Sequence, residues 1–258
     1  MIADSNTQTF WAAGQTCRAQ PDVVRVFEHD PDLLAGLDGE TTDMLRRRAV
    51  ARRLELPCGP WSPPPEAGPL AGAVGLLVLD GLLCRSIRVH GRDCPELLGA
   101  GDLLRPWEPA GDGLIDDRST WRVLQPTTLA ILDRRFSTVL GRWPSIMVAL
   151  VSRSAQRSRA LSLQLAIAHT RQAETRLLTL LWQLAERWGR MTRDGVVLPL
   201  PLTHELLAQL ACLHRPTTST ALQRLIRTGQ LARRPDRGWM LLGHPPATTE
   251  PAAHNQAA

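Results

Sequence analysis

The stretch from Leu202 to Gly243 constrains the fold more than any other part of the chain, because helix, turn and strand signals follow one another there at close spacing. Thr203 is the predicted N-cap of a first helix, since its hydroxyl can accept a hydrogen bond from an orphan amide of the opening turn. The small or apolar residues that follow fall where two helices crossing at a steep angle must touch, namely Leu207, Ala208, Ala211, Leu213 and Ala221. The stretch therefore predicts a pair of short, crossing helices.

A second helix is predicted to begin near Pro216, after a turn at residues 212–214. Proline suits the first turn of a helix, where its missing N–H costs nothing, and it discourages helix at Arg215. Gly229 has the position of the glycine that ends a helix. The predicted buried stripe consists of Ala221, Leu222, Leu225 and Ile226, and the exposed side carries Arg215, Thr217, Ser219, Thr220 and Gln223.

The residues after Gly229 predict a β-wing, which is a strand, a tight turn and a second strand. The strands cover residues 230–234 and 239–242, and the turn is the Pro-Asp-Arg-Gly sequence between them. Arg233, Arg234 and Arg237 lie on this wing. The stretch thus combines two crossing helices with a cationic hairpin.

Charge is divided unevenly along the chain. Residues 1–143 hold 16 Arg and 19 acidic residues, a net charge of −3, whereas residues 144–258 hold 14 Arg and 6 acidic residues, a net charge of +8. A cationic half that coincides with a helix-turn-helix pattern indicates a polyanionic partner. An arginine-rich surface that is merely solvated is the alternative.

The sequence lacks the residue patterns that several classes of function require. The five cysteines are odd in number and form no CxxC pair, so free thiols in a reducing cytosol are the simplest interpretation. No signal segment and no apolar run of membrane-spanning length occurs, which favours a cytoplasmic protein without a membrane partner. No nucleophile–base pair or metal-ligand spacing occurs, so we expect neither an enzyme nor a metal site.

The N-terminal part predicts a small α+β domain at residues 21–143, after a poorly ordered segment at residues 1–20. Residues 23–27 are expected to form a strand or a short helix, and residues 32–37 and 40–53 one or two short helices, followed by a proline-rich loop at residues 57–69. Two apolar runs, residues 73–79 and 82–89, meet across Asp80-Gly81, a strong hairpin signal. Further strands are predicted at residues 94–98, 102–104, 121–124 and 129–132, with Gln125-Pro126 as a break. Many short strands at close spacing favour a β-sandwich or roll.

The pattern turns helical at Asp133, with a short helix to Leu140, a break at Trp143-Pro144 and a long helix at residues 144–171. Helical character then continues to about Gly189, with a joint expected near residues 169–172. Spacings of four and three along this helix are typical of a two-helix coiled coil, which predicts dimerisation. The alternative is that the same stripe packs on the roll. The seam consists of Met147, Val151, Ser154, Ser158, Leu161, Leu165 and Ala168. Residues 172–243 then form the winged domain, whose first helix is buried, and residues 244–258 form a disordered tail.

A β-roll, a long dimer helix and a winged helix-turn-helix, in that order, resemble the Crp/Fnr family of bacterial transcription regulators. The residues that carry the resemblance are Gly75 to Gly81, Leu97 to Leu104, Thr120-Trp121, and Leu202 through Arg215-Pro-Thr217 to Leu225. The resemblance covers residues 70–243 and implies an α+β fold: an N-terminal, jelly-roll-like β-roll sensor domain, a long dimerisation helix and a C-terminal winged helix-turn-helix. It implies a homodimer in the bacterial cytosol that binds double-stranded DNA and RNA polymerase.

The sequence departs from the family at the effector site. Cyclic-nucleotide-binding members carry a Gly-Glu pair where this chain has Arg105-Pro106, while their later Arg-Ser pair corresponds to Arg118-Ser119. The candidate effector residues are therefore Arg105, Arg118 and Ser119, and they favour another small anionic effector, or none, over cyclic AMP or cyclic GMP. The cysteine cluster of the iron–sulfur members and a pair of haem ligands are absent from the sequence, so no cofactor is assigned.

The resemblance also assigns the DNA contacts. Arg215 and Thr217 match the family's recognition helix, whereas its Glu and second Arg do not carry over, and Cys212 replaces the usual turn glycine. Base contacts are expected from Arg215, Thr217, Ser219, Thr220 and Gln223, and phosphate contacts from Thr203, His214, Arg227, Arg233, Arg234 and Arg237. These contacts predict a sequence-specific regulator of a pseudo-palindromic operator, modulated through the β-roll. The alternative is a small-molecule or nucleotide sensor whose winged domain binds a protein partner.

Overall fold

The computed structural model describes residues 23–63, 70, 72–107, 118–235 and 238–246. The expectations for residues 1–20, for Arg237 and for the tail from residue 247 lie outside the described residues. The chain divides into two compact units. The N-terminal unit contains the residues up to 92 and 97–157, and the C-terminal unit contains residues 158–258 together with the short segment Asp93–Glu96.

The N-terminal unit is built around one mixed-length antiparallel sheet. Its seven strands are β1 (Val23–Arg25), β2 (Val50–Leu56), β3 (Gly59–Trp61), β4 (Gly75–Val89), β5 (Arg92–Gly99), β6 (Leu103–Leu104) and β7 (Arg118–Leu132). The order β1-β2-β7-β4-β5 forms the sheet, with β3 paired to β7 and β6 paired to β4. The helices of this unit are α1 (Val26–His29), α2 (Gly39–Arg48) and α3 (Arg134–Arg142), and a 3-10 turn covers Pro31–Leu34.

Both faces of β4 are buried from Gly75 to Leu79, and both faces of β7 are buried from Leu129 to Leu132, which explains the apolar sequences of these two segments. Successive side chains of a strand point to opposite faces, so Leu76 and Val78 join one core while Leu77 and Leu79 join another. The first core fills the roll with Leu83, Leu98, Leu104, Val123, Leu129 and Ile131, and the partly buried Trp61, Trp107 and Trp121 pack against it. The second core lies under the helices and contains Phe27, Leu45, Phe136, Leu140, Ile146 and Leu150.

The predicted hairpin at Asp80-Gly81 is wrong, because β4 runs through it as one strand. The register between β4 and β7 shifts on both sides of Asp80, and Gly81 has a φ of +98°. A Cβ on Gly81 would lie 2.4 Å from the carbonyl oxygen of Pro126, so the two predicted chain breaks face each other inside the sheet. Proline has no N–H to give to a ladder, and a bulge in the partner strand accommodates that loss. The break predicted at Gln125-Pro126 is therefore also wrong.

Two further boundaries differ from the sequence-based expectation. The helix predicted at residues 40–53 ends at Arg48. Residues 50–53 belong instead to β2, in which Arg52 pairs with Ile131 of β7. The proline-rich loop contains strand β3, in which Pro60 pairs with Arg122. Both segments take their structure from the central strand β7, since pairing with a long strand outweighs weak local preferences.

The long helix α4 (Pro144–Ala168) follows α3, which is capped by Asp133 as its side chain accepts hydrogen bonds from the amides of Arg135 and Phe136. Arg153 of α4 forms a two-point ion pair with Asp30, and the carbonyl of Leu103 accepts a hydrogen bond from Arg157. These contacts fix the first half of the helix within the N-terminal unit. Apolar seam residues remain exposed in the single chain, among them Val151 at 60% and Leu165 at 64%.

The described part of the C-terminal unit contains the end of α4, three further helices and a small sheet. The three further helices are α5 (Ala173–Trp188), α6 (His204–Leu210) and α7 (Arg215–Arg227). The strands are β8 (Arg190–Met191), β9 (Val196–Leu198), β10 (Leu231–Arg233) and β11 (Trp239–Leu241), in the order β10-β11-β9-β8. The predicted joint between α4 and α5 covers residues 169–172, and α5 buries Leu177, Leu178, Leu180, Leu181 and Leu184.

Candidate nucleic-acid interface

The interface begins at the N-terminus of α6. The hydroxyl of Thr203 accepts a hydrogen bond from the amide of Leu206 at 3.1 Å, which is the predicted N-cap. Leu207, Ala208, Leu210 and Ala211 are buried on the inner side of this helix. The cap and the buried side together hold α6 in a fixed direction against the second helix.

The turn between α6 and α7 ends the first helix in a Schellman motif. The amide of Leu213 donates to the carbonyl of Ala208 at 2.8 Å, and the amide of Cys212 donates to that of Gln209. Cys212 has a φ of +50°, the left-handed conformation that glycine adopts most readily. Cys212 therefore occupies the left-handed position of the Schellman motif, where glycine is usual.

Helix α7 begins at Arg215, one residue before the expected start, and buries a narrow stripe. Thr218, Ala221, Leu222 and Leu225 are buried at the spacing of three and four residues that one helix face requires. Ile226, predicted to be buried, is 43% exposed. At about 100° per residue, Ile226 lies about 90° from the centre of the buried stripe, so its side chain is at the edge of that face.

The structure places most of the predicted contact residues on the outside of this module. His214 is exposed at the N-cap position, although its side chain makes no capping hydrogen bond. The guanidinium of Arg215 is exposed and lies 3.9 Å from the carboxylate of Glu205, a distance at which a solvated pair contributes little. The other exposed members are Thr217, Gln223 and Arg227.

Two of the predicted base-reading hydroxyls have intramolecular contacts instead of pointing freely outward. Ser219 is half-buried, and its Oγ lies 3.0 Å from Nδ1 of His204. Thr220 is exposed, but its hydroxyl donates to the carbonyl of Pro216 at 3.1 Å. Ser219 therefore joins α7 to the start of α6, a role that sequence spacing does not show.

The wing is present as the antiparallel pair β10–β11, with Arg233 opposite Trp239. The guanidinium carbon of Arg233 lies 4.3 Å from the centroid of the Trp239 ring, a cation–π contact on a side chain that is otherwise buried. Arg234 is half-buried, and its amide donates to the carbonyl of Gly238. The wing thus presents cations beside the helix-turn-helix module.

His204 links the two helices and the wing. Its ring stacks on that of Trp239 with 6.3 Å between the centroids, in addition to its contact with Ser219. Burial lowers the pKa of His204 below its ordinary value of 6.5, and the charges of Arg233 and Arg215 lower it further. The imidazole is therefore held in its neutral form beside a cationic surface.

Sequence reasoning missed two arginines, Arg176 and Arg224, whose contacts join helix α5 to the helix-turn-helix. Arg224 of α7 forms a 2.6 Å ion pair with Glu174 of α5, and this hydrogen bond is the main reason why the pKa of Glu174 is lowered. Arg176 of α5 donates to backbone carbonyls of the α4–α5 joint and of the helix-turn-helix turn. The only sequence signal for Arg176 is a charge directly before the apolar run that begins at Leu177.

The predicted effector residues do not converge on one point among the described residues. Arg105 donates to the carbonyls of Ala73 and Val74, next to the first residues of β4. Ser119 is exposed and pairs with Ile87 near the other end of the same strand. The side chain of Arg118 lies outside the described residues.

Other types of site find no support in the part of the chain that the structure describes. Within it, no group of three or more His, Cys, Asp and Glu side chains could hold a metal ion. Cys58, Cys84, Cys94 and Cys212 are free cysteines. Among the described helices, none is long and apolar enough to cross a membrane.

These features define a class: a sheet-rich N-terminal unit, a long connecting helix and a C-terminal winged helix-turn-helix. Residues 175–244 match the family model of the Crp-like helix-turn-helix domain. The C-terminal unit therefore carries a Crp-like helix-turn-helix domain, as the sequence resemblance implies for this part of the chain.

Solved structures share this fold at low sequence identity. A cyclic nucleotide-binding domain containing protein from Listeria monocytogenes EGD-e matches with a TM-score of 0.60 and 14% identity, over 74% of this chain and 88% of that chain. A CooA mutant from Carboxydothermus hydrogenoformans matches with 0.57 and 20%, over 74% and 83%. The c-di-GMP responsive global regulator CLP of Xanthomonas campestris matches with 0.54 and 18%, over 75% and 95%. A comparison with curated protein sequences gives no match.

Proposed function

We propose that this protein is a sequence-specific DNA-binding transcription regulator of the bacterial cytosol. The observation that carries the proposal is helix α7, whose buried stripe leaves a polar and cationic face exposed within a Crp-like helix-turn-helix domain. A helix of this kind fits the major groove, where its first residues reach base edges. The neighbouring cations fit the phosphates on either side.

Arg215 is the proposed principal base contact. It stands in the first turn of α7 with an exposed guanidinium, and a forked donor can bind O6 and N7 of guanine together. Thr217 and Gln223 are the proposed further readers, since both are exposed on the same helix. Ser219 and Thr220 are proposed to contribute less to base recognition, because their hydroxyls already have hydrogen-bond partners within the chain. Thr203, His214, Arg227 and the wing arginines Arg233, Arg234 and Arg237 are the proposed phosphate contacts.

The regulator is proposed to act as a homodimer through α4. Val151, Leu161 and Leu165 are exposed in the single chain and follow the alternating spacing of a two-helix seam. Pairing of two copies would bury these side chains. It would also place two recognition helices about 34–36 Å apart, one turn of DNA, on a pseudo-palindromic operator.

Modulation through the β-roll is the remaining part of the proposal. Structural neighbours include a c-di-GMP responsive regulator and CprK in complex with OCPA, so the shared fold supports effector control. The departures at Arg105-Pro106 favour a small anionic effector other than a cyclic mononucleotide, or none. RNA polymerase is the proposed protein partner at the promoter.

The test is a binding titration with a DNA duplex selected by the wild-type chain from a random-sequence library. Binding should weaken as the salt concentration rises, because phosphate contacts release counterions. Arg215→Ala should lower the affinity for the selected duplex roughly tenfold to a hundredfold, and the affinity for an unselected duplex much less.

Arg193→Ala is the matched control, since Arg193 is an exposed cation in the turn before β9, at the edge of the sheet away from the wing. This variant should keep the affinity and the preference of the wild type. A wild-type chain without salt-dependent DNA binding would refute the proposal and favour a sensor whose winged domain contacts a protein.

A further inference from the structure

Arg176 makes an unusual set of contacts for a residue that lies on neither α6 nor α7. Its Nε donates to the carbonyl of Thr170 at 2.8 Å, and its Nη2 donates to the same oxygen. Its Nη1 donates to the carbonyls of Ala211 at 3.3 Å and Cys212 at 3.2 Å. One guanidinium thus joins the α4–α5 joint to the turn of the helix-turn-helix.

The carbonyls that Arg176 contacts lie just beyond the ends of two helices. Thr170 follows the end of α4 at Ala168, and its own amide bonds back to Ile167. Ala211 and Cys212 follow α6, which ends at Leu210. Carbonyls at helix C-termini carry partial negative charge and lack helical N–H partners, so a cation with several donors stabilises them.

Cys212 gives this contact a particular importance. A φ of +50° is costly for any residue with a Cβ, and the turn nevertheless holds it immediately before α7. Without an external contact, a non-glycine residue there would favour other backbone conformations. The first residues of α7, Arg215 among them, would then lose their fixed direction.

We infer that Arg176 is a positioning residue for DNA recognition: its guanidinium holds the strained turn at Cys212 and thereby fixes the start of α7 relative to the α4–α5 joint. This inference rests on the proposed function for its effect on DNA, but its effect on the turn is independent of any ligand. Arg176 itself is given no contact with DNA. A change in the joint at Thr170 would reach the turn before the reading helix through Arg176.

The first measurement needs no DNA. Amide hydrogen exchange of the full chain should show faster exchange at Cys212 and Leu213 in Arg176→Ala than in the wild type, by about tenfold. Arg187→Ala is the control, because Arg187 is an exposed arginine of the same helix that stacks on Trp188. Unchanged exchange at the turn in Arg176→Ala would overturn the inference.

The second measurement uses the selected duplex of the previous section. Arg176→Ala should lower the affinity about tenfold while the slope of affinity against salt stays that of the wild type, because no phosphate contact is lost. A shallower slope would mean a direct DNA contact and would overturn the inference. Arg176→Lys should not restore the affinity, since one ammonium group cannot reach both sets of carbonyls.

The third measurement couples the arginine to the strained residue. Cys212→Gly should change the affinity little in the wild type but restore part of it in Arg176→Ala, because glycine adopts the required φ without help. Equal effects in both backgrounds would show that the two residues act independently and would contradict the inference. If the wild type binds no DNA, the exchange data alone decide the role of Arg176, so the two proposals fail separately.

Discussion

His204 shows how a single side chain connects parts of the interface that are distant in sequence. Its ring contacts Ser219 of α7 and Trp239 of the wing, while Arg233 covers the same tryptophan. The neutral imidazole can take part in these contacts, whereas a charged one would be repelled by Arg215 and Arg233. The state of one proton therefore affects the stability of the whole module.

We expect the thermal stability of the C-terminal unit to fall at mildly acidic pH. The folded pKa of His204 lies below 6.5, so its contribution is fully present above pH 6.5 and is lost as the pH falls through the folded value. Thermal unfolding monitored between about pH 7.5 and pH 5.5 should show this loss. His204→Gln should flatten the pH dependence, and an equally steep dependence in this variant would contradict the assignment.

Strand β4 continues through Gly81, and its partner β7 continues through Pro126, although each residue alone predicts a chain break. Gly81 and Pro126 each predict a turn on local grounds, but they lie on paired strands and face each other at the bulge. Proline cannot donate a hydrogen bond to the partner strand. Glycine allows the two backbones to approach closely there and adopts the positive φ that the bulge requires. A residue with a side chain at position 81 would disrupt both strands.

Gly81→Ala should therefore destabilise the N-terminal unit by about 3 kcal/mol or more, as measured by chemical denaturation. A Cβ at this position would lie 2.4 Å from the carbonyl oxygen of Pro126 and 2.5 Å from the Cα of Thr127. Gly91→Ala is the matched control: its φ is +75°, but no atom lies within 4 Å of the added Cβ, so only the backbone cost of about 1–2 kcal/mol is expected. Equal losses in the two variants would show that crowding at the bulge does not matter.

At the scale of the whole molecule, four exposed apolar side chains lie along the seam of α4, namely Met147, Val151, Leu161 and Leu165. The first half of this helix is tied to the N-terminal unit by Arg153, and in the C-terminal unit the side chain of Gln164 donates to the carbonyl of Leu210. These contacts leave the seam residues outside both cores. A second copy of the chain is the partner that the heptad spacing fits.

The oligomeric state should respond to the face of α4 on which a charge is placed. Leu165→Asp, at an exposed seam position, should convert the dimer into a monomer in sedimentation equilibrium, because it would bury two charges across the seam. Leu163→Asp is the matched control, since Leu163 is 43% exposed and lies about 160° from the centre of the seam. A dimer that survives Leu165→Asp, or that dissociates in both variants, would exclude this seam.

Local signals were sufficient wherever a few neighbouring residues decide the structure. The N-cap at Thr203, the start of α3 near Asp133, the glycine that ends α7, the joint between α4 and α5 and the wing were all predictable, because capping and turn chemistry act over one helical turn. The resemblance to Crp/Fnr regulators followed from the order of these elements. The amino-acid pattern alone was thus enough for the class of fold and for the position of the helix-turn-helix domain.

Only the tertiary structure decided which of these residues have partners from distant parts of the chain. Gly81 and Pro126 lie at a bulge because their strands pair with each other. Ser219 is half-buried, and its hydroxyl contacts His204 of the neighbouring helix. Arg176 reaches the turn at Cys212, 36 residues later in the chain, because α5 packs behind the helix-turn-helix. Contacts between residues so far apart in sequence depend on how helices and strands pack together, and the spacing of neighbouring residues does not predict that packing.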